Sequence, residues 1–166
     1  AKWNTTSTPF ITSSKENVNP KAKFFLVDVS NPNVFDKTRI RDYSLEDVMN
    51  GVDVVFHLAA MTSVEESINN PAEYHRVNVI GTLNMLKACV DYGVKRFVFS
   101  SSSAVYGNAE QIPTNEDCKL NPMSPYALNK LMGEQYCKLF SRIDGSYKLE
   151  TVCLRYANVF GDRQRN

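Results

Sequence analysis

Apolar residues in this chain fall into short continuous runs, separated by longer stretches in which they return every three or four positions. Phe24-Phe-Leu-Val27 is a run of the first kind, ending at Asp28, and reads as a short strand. Val52-Asp-Val-Val-Phe-His-Leu58 reads as a second strand, Phe97-Val-Phe99 as a third buried on both faces, and Thr151-Val-Cys-Leu154 as a fourth. Between them the period becomes helical. Ser44-Leu-Glu-Asp47 has the form of a capping box opening a brief helix, which Gly51 would close. A long helix is predicted after Asn70-Pro71. Proline suits its first turn, Glu73 complements the N-terminal dipole, and Gly93 falls just beyond its end. Its buried stripe is expected to run through Val77, Ile80, Leu83 and Leu86 or Met85. Another helix is predicted from about Pro125 to Phe140, with Leu128, Leu131, Met132 and Tyr136 at helical spacing. Strands alternating with helices imply parallel crossovers, hence an α/β fold with a doubly wound parallel sheet. Residues 1–20 are polar and lack apolar periodicity, so they read as a loop or flexible tail, with the folded part over 21–166.

Composition narrows the function classes. A length of 166 residues suits one domain with a sizeable core, and 43% apolar with 22% charged residues is ordinary for a soluble protein. The net charge is +1 with no basic block, so no nucleic-acid partner is expected. No apolar run approaches 18 residues, and no secretory signal pattern is visible; the expected location is cytoplasmic. The four cysteines (Cys89, Cys118, Cys137, Cys153) are widely spaced, without a Cys-x-x-Cys pair. Reduced thiols are expected, with no metal site.

The candidate chemistry lies in Tyr126-Ala-Leu-Asn-Lys130, 24 residues after Ser102 in the run Phe97 to Gly107. On a helix, the i,i+4 spacing puts Tyr126 and Lys130 on one face. The lysine cation would favour the phenolate, lowering the tyrosine pKa from its free value of about 10. Such a tyrosine can serve as a general base near neutral pH. Ser102, at the end of an apolar strand, would hydrogen-bond the same substrate oxygen. The chemistry implied is proton abstraction from an alcohol.

Five segments in order carry a resemblance: Val54-Val-Phe-His-Leu-Ala-Ala60, Asn78-Val-Ile-Gly-Thr82, Phe97 to Gly107, Ser124-Pro-Tyr-Ala-Leu-Asn-Lys130, and Leu154-Arg-Tyr-Ala-Asn-Val-Phe-Gly161. Together they resemble the extended short-chain dehydrogenase/reductases, specifically the NAD-dependent epimerase/dehydratase family and its nucleotide-sugar epimerases. The resemblance implies a Rossmann-like sheet, NAD as cofactor and a nucleotide-sugar substrate, with a UDP-sugar favoured. It implies catalytic roles for Tyr126, Lys130 and Ser102. It places Leu58, Ala59, Ala60, Asn78, Ser100 and Tyr156 at the cofactor together with Tyr126 and Lys130, and Asn158 at the substrate with Ser102 and Tyr126. His57 is expected to be structural. Arg155, Arg163 and Arg165 are candidates to neutralise phosphates. Dehydratases of the family carry an acidic residue just after the Ser102 position; Ser103 and Ala104 stand there instead, which favours epimerisation. The family also commonly pairs its chains through helices matching 71–92 and 122–141, so a homodimer is implied.

Parts of the family pattern are not among these residues. None of the seven glycines forms the opening Gly-x-x-Gly-x-x-Gly that approaches the pyrophosphate. Asp28 is the candidate for the family's adenine-contacting aspartate on chemistry, although spacing puts Arg39 there. The expectation is therefore a central piece of a longer chain, with the first β-α-β unit and the C-terminal substrate portion absent, and not active by itself. Without its first two strands, the Val52–Leu58 strand would become an exposed apolar edge. The functional alternatives left open are another enzyme of the family (dehydratase, decarboxylase or reductase) and a non-catalytic module for dimerisation or binding.

Overall fold

In the computed structural model, three parallel strands form one sheet in the order β1-β2-β3: Val54–His57, Arg96–Ser102 and Glu150–Tyr156. The structure describes residues 19–31, 33–35, 45–141 and 148–161. The expected tail over 1–18 lies outside them, as do Ser44, Arg39, Arg163 and Arg165. The helices are α1 (Leu45–Met49), α2 (Val64–Asn69), α3 (Pro71–His75), a π-helical turn (Arg76–Ile80), α4 (Gly81–Asp91) and α5 (Pro125–Phe140). A 3₁₀ turn, Ser103–Tyr106, follows β2.

Parallel pairing puts side chains of matched residues on one face. Val55 and His57, Phe97, Phe99 and Ser101, and Thr151, Cys153 and Arg155 face α4 and α5. Phe97 and Phe99 are wholly buried there. Gly133 of α5 lets the helix approach closely, because a Cβ at that position would strike the Phe99 ring. The other face carries Val54 and Phe56, Val98, and Val152 and Leu154. Phe56 is 68% exposed and Val54 42%. The apolar run Phe97-Val-Phe99 is thus buried on one face and half-covered on the other, where both had been expected to be closed.

Other expectations need correction too. Residues 24–27 adopt no strand; Val27 and Val29 pack onto the core while Asn84 donates to the Val29 carbonyl at 2.8 Å. β1 is an edge of the sheet among the described residues, as the exposed apolar edge expected for it requires. The long helix is three consecutive segments, and its inward face is Tyr74, Asn78, Thr82, Met85, Leu86 and Cys89; of the expected stripe, Leu86 and Met85 are buried, whereas Val77, Ile80 and Leu83 are half-buried. Polar Asn78 and Thr82 can face inward because both are hydrogen-bonded there. In α5 the inward face is Tyr126, Lys130, Gly133, Glu134 and Cys137, whereas Leu128 is exposed and Leu131, Met132 and Tyr136 are half-buried. Ser124 caps α5 by accepting from the Ala127 amide, and Pro125 occupies the first turn. Gly51 and Gly93, both at positive φ, follow α1 and α4 as expected.

Candidate active site

Tyr126 sits one residue inside α5, whose N-terminus is held to α2 by the Tyr126 amide donating to Ser67 Oγ at 3.2 Å. Ser67 in turn donates to the Val64 carbonyl. One turn further along α5, Lys130 is buried and donates from Nζ to the Ser100 carbonyl on β2 at 2.7 Å. Its ammonium lies 5.2 Å from the Phe99 ring centroid and 5.9 Å from that of Tyr126. Helix periodicity thus turns the Tyr126–Lys130 spacing into a shared face, and the helix lays that face on β2. Burial pushes the Lys130 pKa down to about 8.

Ser100 and Ser102 are on the same strand as the Lys130 contact, and by register Ser102 stands opposite Tyr156 of β3. Ser102 Oγ accepts from the Ala104 amide at 3.2 Å, which starts the 3₁₀ turn and leaves its hydroxyl hydrogen to donate. Tyr156, the last residue of β3, and Asn158, two residues beyond it, are exposed. A groove of about 850 Å³ opens between that end and the turn after β2, bordered by Ser103, Tyr106, Glu116, Leu154 and Tyr156. Neither Tyr126 nor Lys130 is among its walls.

The loop after β1 carries Leu58, Ala59 and Ala60, the first two exposed. Asn78 fixes this loop: its Oδ1 accepts from the Met61 amide at 2.8 Å, and its Nδ2 donates to the Met61 carbonyl at 2.9 Å. One acceptor site and one donor of the Asn78 amide are thus engaged by Met61. His57 is buried and stacked near Phe97 and Phe99. Its Nε2 lies 3.0 Å from Thr82 Oγ1, which donates to the Asn78 carbonyl at 2.7 Å. The Thr82 hydrogen being committed, His57 donates, so it is a neutral imidazole protonated at Nε2. Burial, and secondarily Lys130, hold its pKa at about 4. It carries no charge at neutral pH.

Two charged candidates are engaged by other side chains. Asp28 accepts from the Ser30 amide and hydroxyl, and lies 3.6 Å from Arg76, which also pairs with Glu73. Its side chain stays 60% exposed beside that pair. The Arg155 guanidinium is bound to Glu134, with Nη2 to Oε2 at 2.8 Å and Nε to Oε1 at 3.0 Å. Glu134 carries no motif of its own in the sequence, and Ser101, which donates to it, is one of four consecutive serines. The signal was present: Tyr126, Lys130 and Glu134 are spaced i, i+4 and i+8, one face of one helix.

The nicotinamide end of a dinucleotide fits what is built here. Lys130 is a buried cation with one of three donors used, small residues follow β1, and hydroxyls line the end of β2. The glycine turn for the pyrophosphate is not among these residues. Among the described residues, no cluster could hold a metal ion, and no helix is long and apolar enough to cross a membrane.

A parallel α/β sheet, with a tyrosine and a lysine from one helix laid beside a strand that ends in serines, has the layout of a Rossmann-like fold. The chain belongs to the NAD dependent epimerase/dehydratase family, whose model matches residues 6–166. The UDP-glucose 4-epimerase of Lactobacillus helveticus is 37% identical over 150 residues, 90% of this chain and 42% of that protein. The crystal structure of Thermus thermophilus UDP-glucose 4-epimerase with NAD superposes with a TM-score of 0.75 at 35% identity, over 91% of this chain and 46% of that one. The UDP-N-acetylglucosamine 4-epimerase of Methanobrevibacter ruminantium, in complex with UDP-N-acetylmuramic acid, does so with a TM-score of 0.70 at 44% identity, over 75% and 39%. The chain spans less than half the length of the curated relatives it matches.

Proposed function

We propose that these residues form the catalytic core of an NAD-dependent nucleotide-sugar 4-epimerase acting on a UDP-sugar. The observation that carries the reading is the placement of Tyr126 and Lys130 by α5, with the Lys130 ammonium 2.7 Å from the Ser100 carbonyl. NAD, when bound, supplies a reversible hydride acceptor for the sugar C4. Tyr126 takes the proton from the 4-hydroxyl, and Ser102 donates to the same oxygen and orients it. Lys130 holds positive charge beside the phenol and offers donors to the nicotinamide ribose. The Met61 loop, fixed by Asn78, presents Leu58, Ala59 and Ala60 to the cofactor. Tyr156 borders the nicotinamide and Asn158 the sugar nucleotide. With Ser103 and Ala104 after Ser102, no carboxylic acid stands ready for water elimination, which favours epimerisation over dehydration. Related proteins named as UDP-sugar 4-epimerases support the substrate class.

A homodimer is part of the same proposal. Leu128 and Leu139 of α5 are exposed, and Val77, Ile80 and Leu83 are half-buried, an apolar surface that a second copy would cover.

Incubating the protein as encoded with NAD and UDP-glucose is expected to yield UDP-galactose, and light scattering of the same preparation a dimer mass. No conversion of any member of a UDP-, GDP- and dTDP-sugar panel would refute the activity, and a monomer mass the dimer.

A further inference from the structure

A buried polar network lies beside the candidate groups without joining them. Glu134, 7% exposed, receives the Ser101 hydroxyl at 2.5 Å and the Arg155 guanidinium at both carboxylate oxygens. Arg155, its side chain 21% exposed, donates from Nη1 to the Tyr106 hydroxyl at 2.8 Å and to the Glu116 carbonyl at 3.0 Å. The guanidinium also lies 4.9 Å from the Tyr106 ring centroid. Pairing with Glu134 raises the Arg155 pKa further, so the cation is permanent. One carboxylate and one guanidinium thereby join β2, α5, β3, the 3₁₀ turn and the loop before α5.

The position of this network matters more than its strength. Ser101 stands between Ser100, whose carbonyl holds Lys130, and Ser102. Glu134 follows Lys130 by one helical turn and Tyr126 by two. α5 is therefore pinned to β2 at two successive levels, Lys130 to Ser100 and Glu134 to Ser101. A helix held at two levels can neither slide along the strand nor roll on it. The second level adds to the Lys130 contact, the Gly133–Phe99 packing and the Tyr126–Ser67 bond, and it is the polar contact to β2 nearest the serine run on the C-terminal side of Lys130.

We infer that Glu134 and Arg155 are positioning residues: they fix the register of α5 on β2 and so set where Tyr126 stands relative to Ser102. They touch no reacting atom. The inference rests on the functional reading above, and it extends that reading to residues outside the candidate catalytic set. A displacement of about 1 Å in such a constellation costs on the order of a hundredfold in rate. A neutral glutamine offers one acceptor where the carboxylate offers two, so Arg155 keeps its charge and loses half of its fork partner.

The test is Glu134→Gln in the protein as encoded, assayed with UDP-glucose and its C4-deuterated form. The expected result is a kcat lower by about tenfold or more, a KM within about twofold, and a larger deuterium isotope effect on kcat, because hydride transfer has become slower. An isotope effect equal to that of wild type overturns the inference, since loss of folded protein lowers the apparent kcat without changing it. Ser101→Ala removes one hydrogen bond and leaves the ion pair, so it folds where Glu134→Gln does not; the same rise in isotope effect is expected and its absence overturns. A wild type that converts nothing sinks the functional reading instead. Amide hydrogen exchange then decides the positioning: faster exchange confined to Tyr126–Lys130 in Glu134→Gln supports it, and unchanged protection there overturns it.

Discussion

Replacing Tyr126 by phenylalanine is expected to lower kcat by about two to four orders of magnitude, the range that a positioned proton acceptor contributes. The change removes one oxygen and keeps the ring. Tyr126 is buried, and the contact that fixes its backbone, the amide donating to Ser67 Oγ, does not involve the side chain. The lysine ammonium 5.9 Å from the ring centroid also remains. Thermal stability and KM are therefore expected to stay near wild type while turnover collapses. Steady-state kinetics with a melting curve on the same preparation check both halves, and wild-type-like turnover would remove the assignment.

The second large effect is structural and falls at Gly107. This residue ends the 3₁₀ turn after β2 with φ at +59° and ψ at −130°, a region that is essentially glycine's. A Cβ there would strike the Asn121 carbonyl oxygen and lie 3.0 Å from Met123 Cγ. Both neighbours belong to the segment leading into α5, which Asn121 anchors by donating its amide to the Val105 carbonyl at 2.9 Å. Gly107→Ala thus combines backbone strain, worth roughly 1–3 kcal/mol, with overpacking of similar size. A loss of about 3 kcal/mol or more follows, equivalent to a thermal midpoint lower by roughly 10 °C. Gly51→Ala is the control. Gly51 has φ at +76° but nothing within 4 Å of a Cβ, so it meets strain alone and should cost about 1 kcal/mol. Equal losses at the two positions would show that the close approach of residues 107 and 121 contributes nothing.

Much of this arrangement was legible in the sequence because it depends on local periodicity. Alternation and run length locate β1, β2 and β3, and the Ser124-Pro125 start with four-residue spacing locates α5 and the face shared by Tyr126 and Lys130. What the pattern misread was which side faces inward. A rule that assigns apolar residues to the core chose Val77, Ile80 and Leu83, and Leu128 and Leu131. The actual inward faces carry Asn78, Thr82, Lys130 and Glu134. Each has a specific partner on another element: Met61, His57, Ser100, and Ser101 with Arg155. Such pairings join residues distant in sequence, which no periodicity reveals. The same holds for Arg155. Taken alone, it reads as a cation awaiting phosphate, yet its partner lies 21 residues away on a neighbouring helix. Residues 24–27 failed for the opposite reason. Four apolar residues are enough to suggest a strand, but a strand exists only by pairing with a neighbour, and among the described residues no strand pairs with 24–27.

The central claim is that the sugar C4 hydrogen leaves as a hydride to a nicotinamide held beside Tyr126 and Lys130, then returns to the same carbon. Mass spectrometry on the product made from C4-deuterated UDP-glucose tests this directly. The account predicts UDP-galactose that retains the deuterium. Deuterium lost to water during conversion would contradict it.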